Sequence, residues 1–185
     1  MAYRFGSLPV IIILILEITG CRNQAVVLYK GKPTRYWLRQ LQDRDPATSK
    51  ESVTALQAIG SDGHPQIMAR ALAAALLDSI HYPDRYAGTF QVQVIYALQK
   101  IGPVETSFTV PALIQALKDS KSINQVREAA VICLGSFGPK ARIAEPVLRD
   151  LLNDSNHWIH SPAEEALKSI LGAGAAEEKA GMSSD

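Results

Sequence analysis

An all-α chain of about four helical hairpins stacked in a row is the fold this sequence predicts, and three observations carry the prediction. Leucines recur at Leu56, Leu98, Leu134 and Leu167, each inside a variant of one short phrase: ALQAIG, ALQKIG, CLGSFG and ALKSIL. Acidic residues recur between them at Asp43, Asp78, Asp119 and Asp154, each closing a leucine-rich stretch. No segment shows the sustained alternation of apolar and polar residues that a strand would need. The leucine spacings are 42, 36 and 33, and self-similarity on that scale marks a helical solenoid whose units bury their apolar faces only by stacking. A solenoid of this kind is usually a surface for binding rather than a pocket for chemistry.

Residues 1–20 read as an export signal outside the fold. Arg4 supplies the charged start, LPVIIILIL over 8–16 the apolar stretch, and small residues lead up to Cys21. A spanning helix needs about 20 apolar residues, and Glu17 stops this run well short. Ile18-Thr19-Gly20-Cys21 resembles the bacterial lipobox, with an aliphatic residue, two small residues and then cysteine. The resemblance implies cleavage before Cys21, a diacylglycerol thioether on its sulfur and acylation of the new amine. An ordinary signal peptide with an incidental cysteine, or an uncleaved anchor, is the alternative, because Glu17 is an unhelpful charge so near the cleavage point. With two or three acyl chains the anchoring would be stable, whereas one chain holds only marginally. The expectation is therefore an exported chain, lipid-anchored to a bacterial cell-envelope membrane. Residues 21–33 follow as the lipidated cysteine and a tether, with 26–29 available to pack on the first hairpin.

From residue 34 two kinds of helix alternate. The A helices are expected at 34–42, 65–77, 110–118 and 143–153, with Pro65, Pro111 and Pro146 in first turns, where a missing N–H costs little. The B helices are expected at 49–59, 88–101, 123–137 and 160–171. In the third of these, Ala130, Cys133, Leu134 and Phe137 form a stripe at helical period. Gly60, Gly102 and Gly138 stand where a left-handed C-cap belongs, and Pro103 and Pro139 forbid continuation. The acidic residues suit tight turns or caps. After Leu171 the chain turns to small and charged residues, so 172–185 is expected to be a disordered tail.

Bulk properties agree with one domain and exclude some functions. Hydrophobic residues make up 47% of the 185 and charged residues 20%, an ordinary globular balance. Lys plus Arg (19) nearly cancels Asp plus Glu (18), which weighs against nucleic acid, since phosphates call for a basic excess. The two cysteines, Cys21 and Cys133, form no disulfide framework or metal spacing, and Cys133 fills a position otherwise held by alanine. It reads as a small buried hydrophobe.

The segments VREAAVICLGSFG (126–138) and VPALIQALKD (110–119) resemble the B and A helices of HEAT repeats, in the short bacterial variety related to phycobilin lyases. Tyr36-Trp37-Leu38 followed by Leu41 and Asp43 is similar to the first repeat of exported bacterial HEAT proteins. The resemblance spans 34–171. It implies a short right-handed α-α superhelix with helix B on the concave face. The family's arginine one turn into helix B is matched only by Arg127. Its counterparts are Ser49, Gln91 and His160, so a stacked Arg–Asp ladder is not expected.

The second unit departs most from the others. From acidic turn to B-helix leucine there are 13, 20, 15 and 13 residues, which places an insertion within 79–88 that carries His81, Tyr82, Arg85 and Tyr86. Such side chains can stack on and hydrogen-bond a partner, or simply cover the loop's own stem. Residues two before each B-helix leucine should point away from the core: Thr54, Tyr96, Ile132 and Glu165. Tyr82, Tyr86, Tyr96 and Ile132 are thus the expected partner site. His157 and His160 could share a metal with Asp154, although capping and packing is the commoner role of such a pair, and no metal or cofactor is expected. Trp37 and Trp158 read as end-cap core residues. There is no phosphate loop, dinucleotide turn or nucleophile elbow. The sequence therefore predicts a non-enzymatic protein-binding scaffold. The alternatives are a chromophore-attachment or chaperone factor like the phycobilin lyases, which the export signal argues against, and a purely structural envelope protein.

Overall fold

Apolar residues at helical spacing give eight α-helices among the described residues. The structure, a computed structural model, describes residues 28–41, 45–61, 64–81, 88–119, 123–154 and 156–172. Cys21, Tyr82, Tyr86 and the tail beyond 172 lie outside them. Four A helices, α1 (Thr34–Gln40), α3 (Pro65–His81), α5 (Thr106–Lys118) and α7 (Glu145–Leu151), alternate with four B helices, α2 (Pro46–Ser61), α4 (Gly88–Ile101), α6 (Asn124–Ser136) and α8 (His160–Leu171). Each B helix packs on the next B helix and on its own A helix, and α3 packs on α5, so the hairpins stack as a short HEAT-like superhelix.

The leucines that announced the repeat all point into this stack. Leu56, Leu98, Leu134 and Leu167 are buried, as are the inward residues of the A helices, Leu72, Leu113 and Leu148. Burying one such side chain contributes about 2 kcal/mol relative to leaving it exposed. Cys133 is buried in the same layer, and desolvation pushes its thiol far above the ordinary range, which makes it an inert packing residue.

Several local expectations need correction. Gly60 does not end its helix but lies inside α2 without a left-handed φ. It is small because Ile101 from the next B helix comes so near that a Cβ there would sit 2.8 Å from Ile101 Cδ1. Gly102 (φ 92°) and Gly138 (φ 56°) do take the left-handed conformation expected of them. Pro111 is not in a first turn, since α5 begins at Thr106, and its ring removes one interior hydrogen bond. Asp78 does not close a helix, because α3 continues to His81, whose Nδ1 lies 2.8 Å from the Leu77 carbonyl. The last A helix is shorter than expected: a 3-10 segment, Gly138–Ala144, precedes α7. At the start of α2 the N-cap is Asp45, whose Oδ2 accepts the Thr48 N–H at 2.9 Å and the Thr48 hydroxyl at 2.5 Å. Those bonds hold its carboxyl below the usual carboxylate range.

The two ends are closed by tryptophan. Trp37 is buried on α1, edge-on to Tyr29 at 5.8 Å and to Tyr36 at 5.0 Å. Tyr29 belongs to a small antiparallel hairpin, β1 (Leu28–Tyr29) and β2 (Lys32–Pro33), in which Leu28 pairs with Pro33 and Tyr29 with Lys32. Lys30 (φ 48°) and Gly31 (φ 70°) make its turn, both left-handed as a tight two-residue hairpin requires. At the far end Trp158 is half-buried against the core. Neither indole Nε1 finds a hydrogen-bond partner among the described residues, which costs about 1–3 kcal/mol for a buried donor.

Candidate partner-binding surface

A residue two positions before a buried helical leucine lies about 200° around the helix, on its far side. The B helices obey this geometry: Thr54, Tyr96, Ile132 and Glu165 are all exposed. Tyr96 on α4 is 49% exposed and Ile132 on α6 is 41% exposed, and the two helices pack directly on one another. The expected row is thus present, with large apolar side chains at its two middle positions. Neither side chain is needed for the core behind it, where Ile95, Leu98 and Leu134 already fill the space.

Beside Ile132 the row deepens into a cleft. Gly135 lets α6 and α8 approach so closely that a Cβ on it would sit 3.0 Å from Ala166 Cα. Ser169 Oγ donates to the Gly135 carbonyl at 2.7 Å across the same contact. Next to this crossing lies a cleft of about 240 Å³ lined by Ile132, Ser136, Pro162 and Glu165, among others. That is below the roughly 300–1,000 Å³ of small-molecule sites and suits insertion of a partner side chain. No stripe in the sequence announces it, because it depends on the close approach of Gly135 and Ala166, which lie on different helices.

A larger cleft of about 570 Å³ lies on another part of the third and fourth units, lined by Lys118, Asp119, Asn124, Arg127, Asp150 and Asp154, among others. Its organising contact is an ion pair. Arg127 donates to Asp154 Oδ2 at 2.6 Å, with side chains only 17% and 19% exposed. Asn156 donates to Oδ1 through its backbone N–H at 2.9 Å and its side-chain amide at 3.1 Å. The Arg127 hydrogen bond, and after it the Asn156 N–H, holds the Asp154 carboxyl down to about 2. One rung of an Arg–Asp ladder is therefore present, between Arg127 and Asp154.

The histidine pair is part of the same support. His160 Nε2 lies 2.7 Å from the Asp154 carbonyl, a bond in which the ring nitrogen donates, and its ring meets that of His157 edge-on at 4.9 Å. Arg127 lies 6.0 Å from the Trp158 ring. Both Asp154 oxygens accept bonds from Arg127 and Asn156, and among the described residues no group of three His, Cys, Asp or Glu is placed to hold a metal. Of the insertion in the second unit, residues 79–81 are helical and complete α3, and 82–87 lie outside the described residues.

Stacked hairpins with a leucine inward and an exposed row outward on every B helix define an α-solenoid of the surface-presenting kind. A family model of HEAT repeats matches residues 73–168, just over half of the chain, and the chain belongs to the HEAT-repeat family. Searches of curated proteins and of solved structures return no match.

Proposed function

We propose that the protein is a non-enzymatic scaffold, lipid-anchored through Cys21 at a bacterial envelope membrane, that binds a protein partner on its concave helix-B face and repeat-two loop. HEAT repeats generally serve protein–protein interaction. The observation that carries the reading here is the pairing of exposed Tyr96 and Ile132 on adjacent B helices beside a side-chain-sized cleft. Aromatic and aliphatic anchors next to a well-packed pocket are where binding energy concentrates. Tyr82 and Tyr86, which follow α3 in sequence, are included in the proposed partner site for their residue type alone.

Two experiments test the reading. Tyr96→Ala combined with Ile132→Ala should weaken partner binding by about tenfold or more while leaving the helical circular dichroism unchanged. Unchanged binding would remove the site. For the anchor, palmitate labelling of the chain in bacterial cells should vanish in Cys21→Ser, and an unlabelled wild type contradicts the lipid.

A further inference from the structure

The first hairpin and helix carry a charge pattern that stacking does not need. Residues 28–41 hold Lys30, Lys32, Arg35 and Arg39 and no acidic residue, although the whole chain is balanced at 19 basic to 18 acidic. Arg35 and Arg39 are exposed and four apart on α1, so they share one helix face. Lys32 is exposed, and its ammonium lies 5.2 Å from the ring centre of Tyr36, itself 38% exposed. Leu28, on the hairpin, is 59% exposed. Of these cations Lys30 is engaged by Glu51 on α2 at 3.0 Å. Behind them Trp37, Leu38 and Leu41 are buried, so the pattern is displayed on a fixed base.

Exposed tyrosine and leucine among lysines and arginines have the makeup of a surface that lies at lipid headgroups. The ring sits at the interface, the long stems reach along it, and the cations are drawn to anionic lipid. Leu28 follows Cys21 by seven residues, a reach of at most about 25 Å, so a lipid on Cys21 would hold the patch within touching distance of a bilayer. We propose that Lys32, Arg35, Tyr36 and Arg39 form a face that lies on an anionic lipid bilayer, setting the first hairpin down on the membrane and leaving the later repeats for the partner. The proposal rests on the anchored reading for its nearness to the bilayer and on the charge pattern for its chemistry.

Hydrogen exchange tests it on the full chain, purified from bacterial membranes and reconstituted. On vesicles containing phosphatidylglycerol, exchange of the 28–41 segment should slow about tenfold or more, with no slowing on phosphatidylcholine alone. The triple variant Lys32→Glu, Arg35→Glu, Arg39→Glu should lose that protection while α5 and α6 exchange as in the wild type. Equal protection on both lipids, protection that survives the triple variant, or no protection at all overturns the proposal. Stronger protection by soluble polyglutamate than by vesicles overturns it too, in favour of an acidic protein partner. Intact mass of the same sample reads the lipid on Cys21 separately, so the anchor and the face can fail independently.

Discussion

Asp154 serves its neighbours with both side-chain oxygens and with its own backbone. Oδ2 accepts from Arg127, Oδ1 from Asn156, and its carbonyl from His160. The third B helix is thereby tied to the turn that leads into the fourth. The sign of the pH dependence follows from the depressed carboxyl. Asp154 titrates lower when folded than when unfolded, so the pair's contribution is complete above roughly pH 4 and is lost as the pH falls from about 4 toward about 2. Thermal denaturation should show the wild type losing more stability across that window than Asp154→Asn, which should start lower at pH 6. Parallel pH profiles would contradict the assignment. Both partners were visible in the sequence, Arg127 as the lone arginine of its register and Asp154 as a turn residue. Their contact was not, because it joins positions 27 residues apart that only the stacking of the fourth unit brings together. Cys133 was more legible. An alanine-like position in a helical stripe already implied burial, and its thiol is inert for that reason.

At the scale of elements, helices were easier to read than their ends. The bounds expected for α4 and α8 coincide with those observed, since leucine periodicity and a following glycine act within one turn. Gly60 carried the same local signal as Gly102 but serves a different purpose, the close passage of Ile101. Pro111 suggested a helix start at 110, yet Glu105, at a left-handed φ of 49°, precedes a start at Thr106, about one turn earlier. The α6–α8 contact meets Gly135 with backbone, where Gly60 meets the tip of a side chain. A methyl on Gly135 meets the Ala166 backbone, which cannot swing aside as a side-chain tip can. Gly135→Ala should therefore destabilise the fold by about 1 kcal/mol: overpacking costs about 1–3 kcal/mol and improved helix propensity returns up to about 1 kcal/mol. A urea midpoint that rises instead would show that the helices part without cost.

For the whole molecule, the uneven repeat is what distinguishes this solenoid. Its regular part, the inward leucines, supplies a stack of hairpins, and the outward row supplies Tyr96 and Ile132 at the centre of that stack. That row could be read from the sequence by counting two residues back from each leucine. The cleft beside Ile132 could not, because it forms between helices from different units. The lower-numbered end carries a basic aromatic face, so an anchored molecule would present distinct surfaces to lipid and to protein. The central claim is that the B-helix row is the partner surface. A photoreactive amino acid placed in turn at Tyr96, at Ile132 and at the exposed A-helix position Gln115, in the cell that makes the protein, tests it most directly. Positions 96 and 132 should give one and the same protein adduct, and position 115 none. An adduct from 115 alone, or no adduct from either B-helix position, would contradict it.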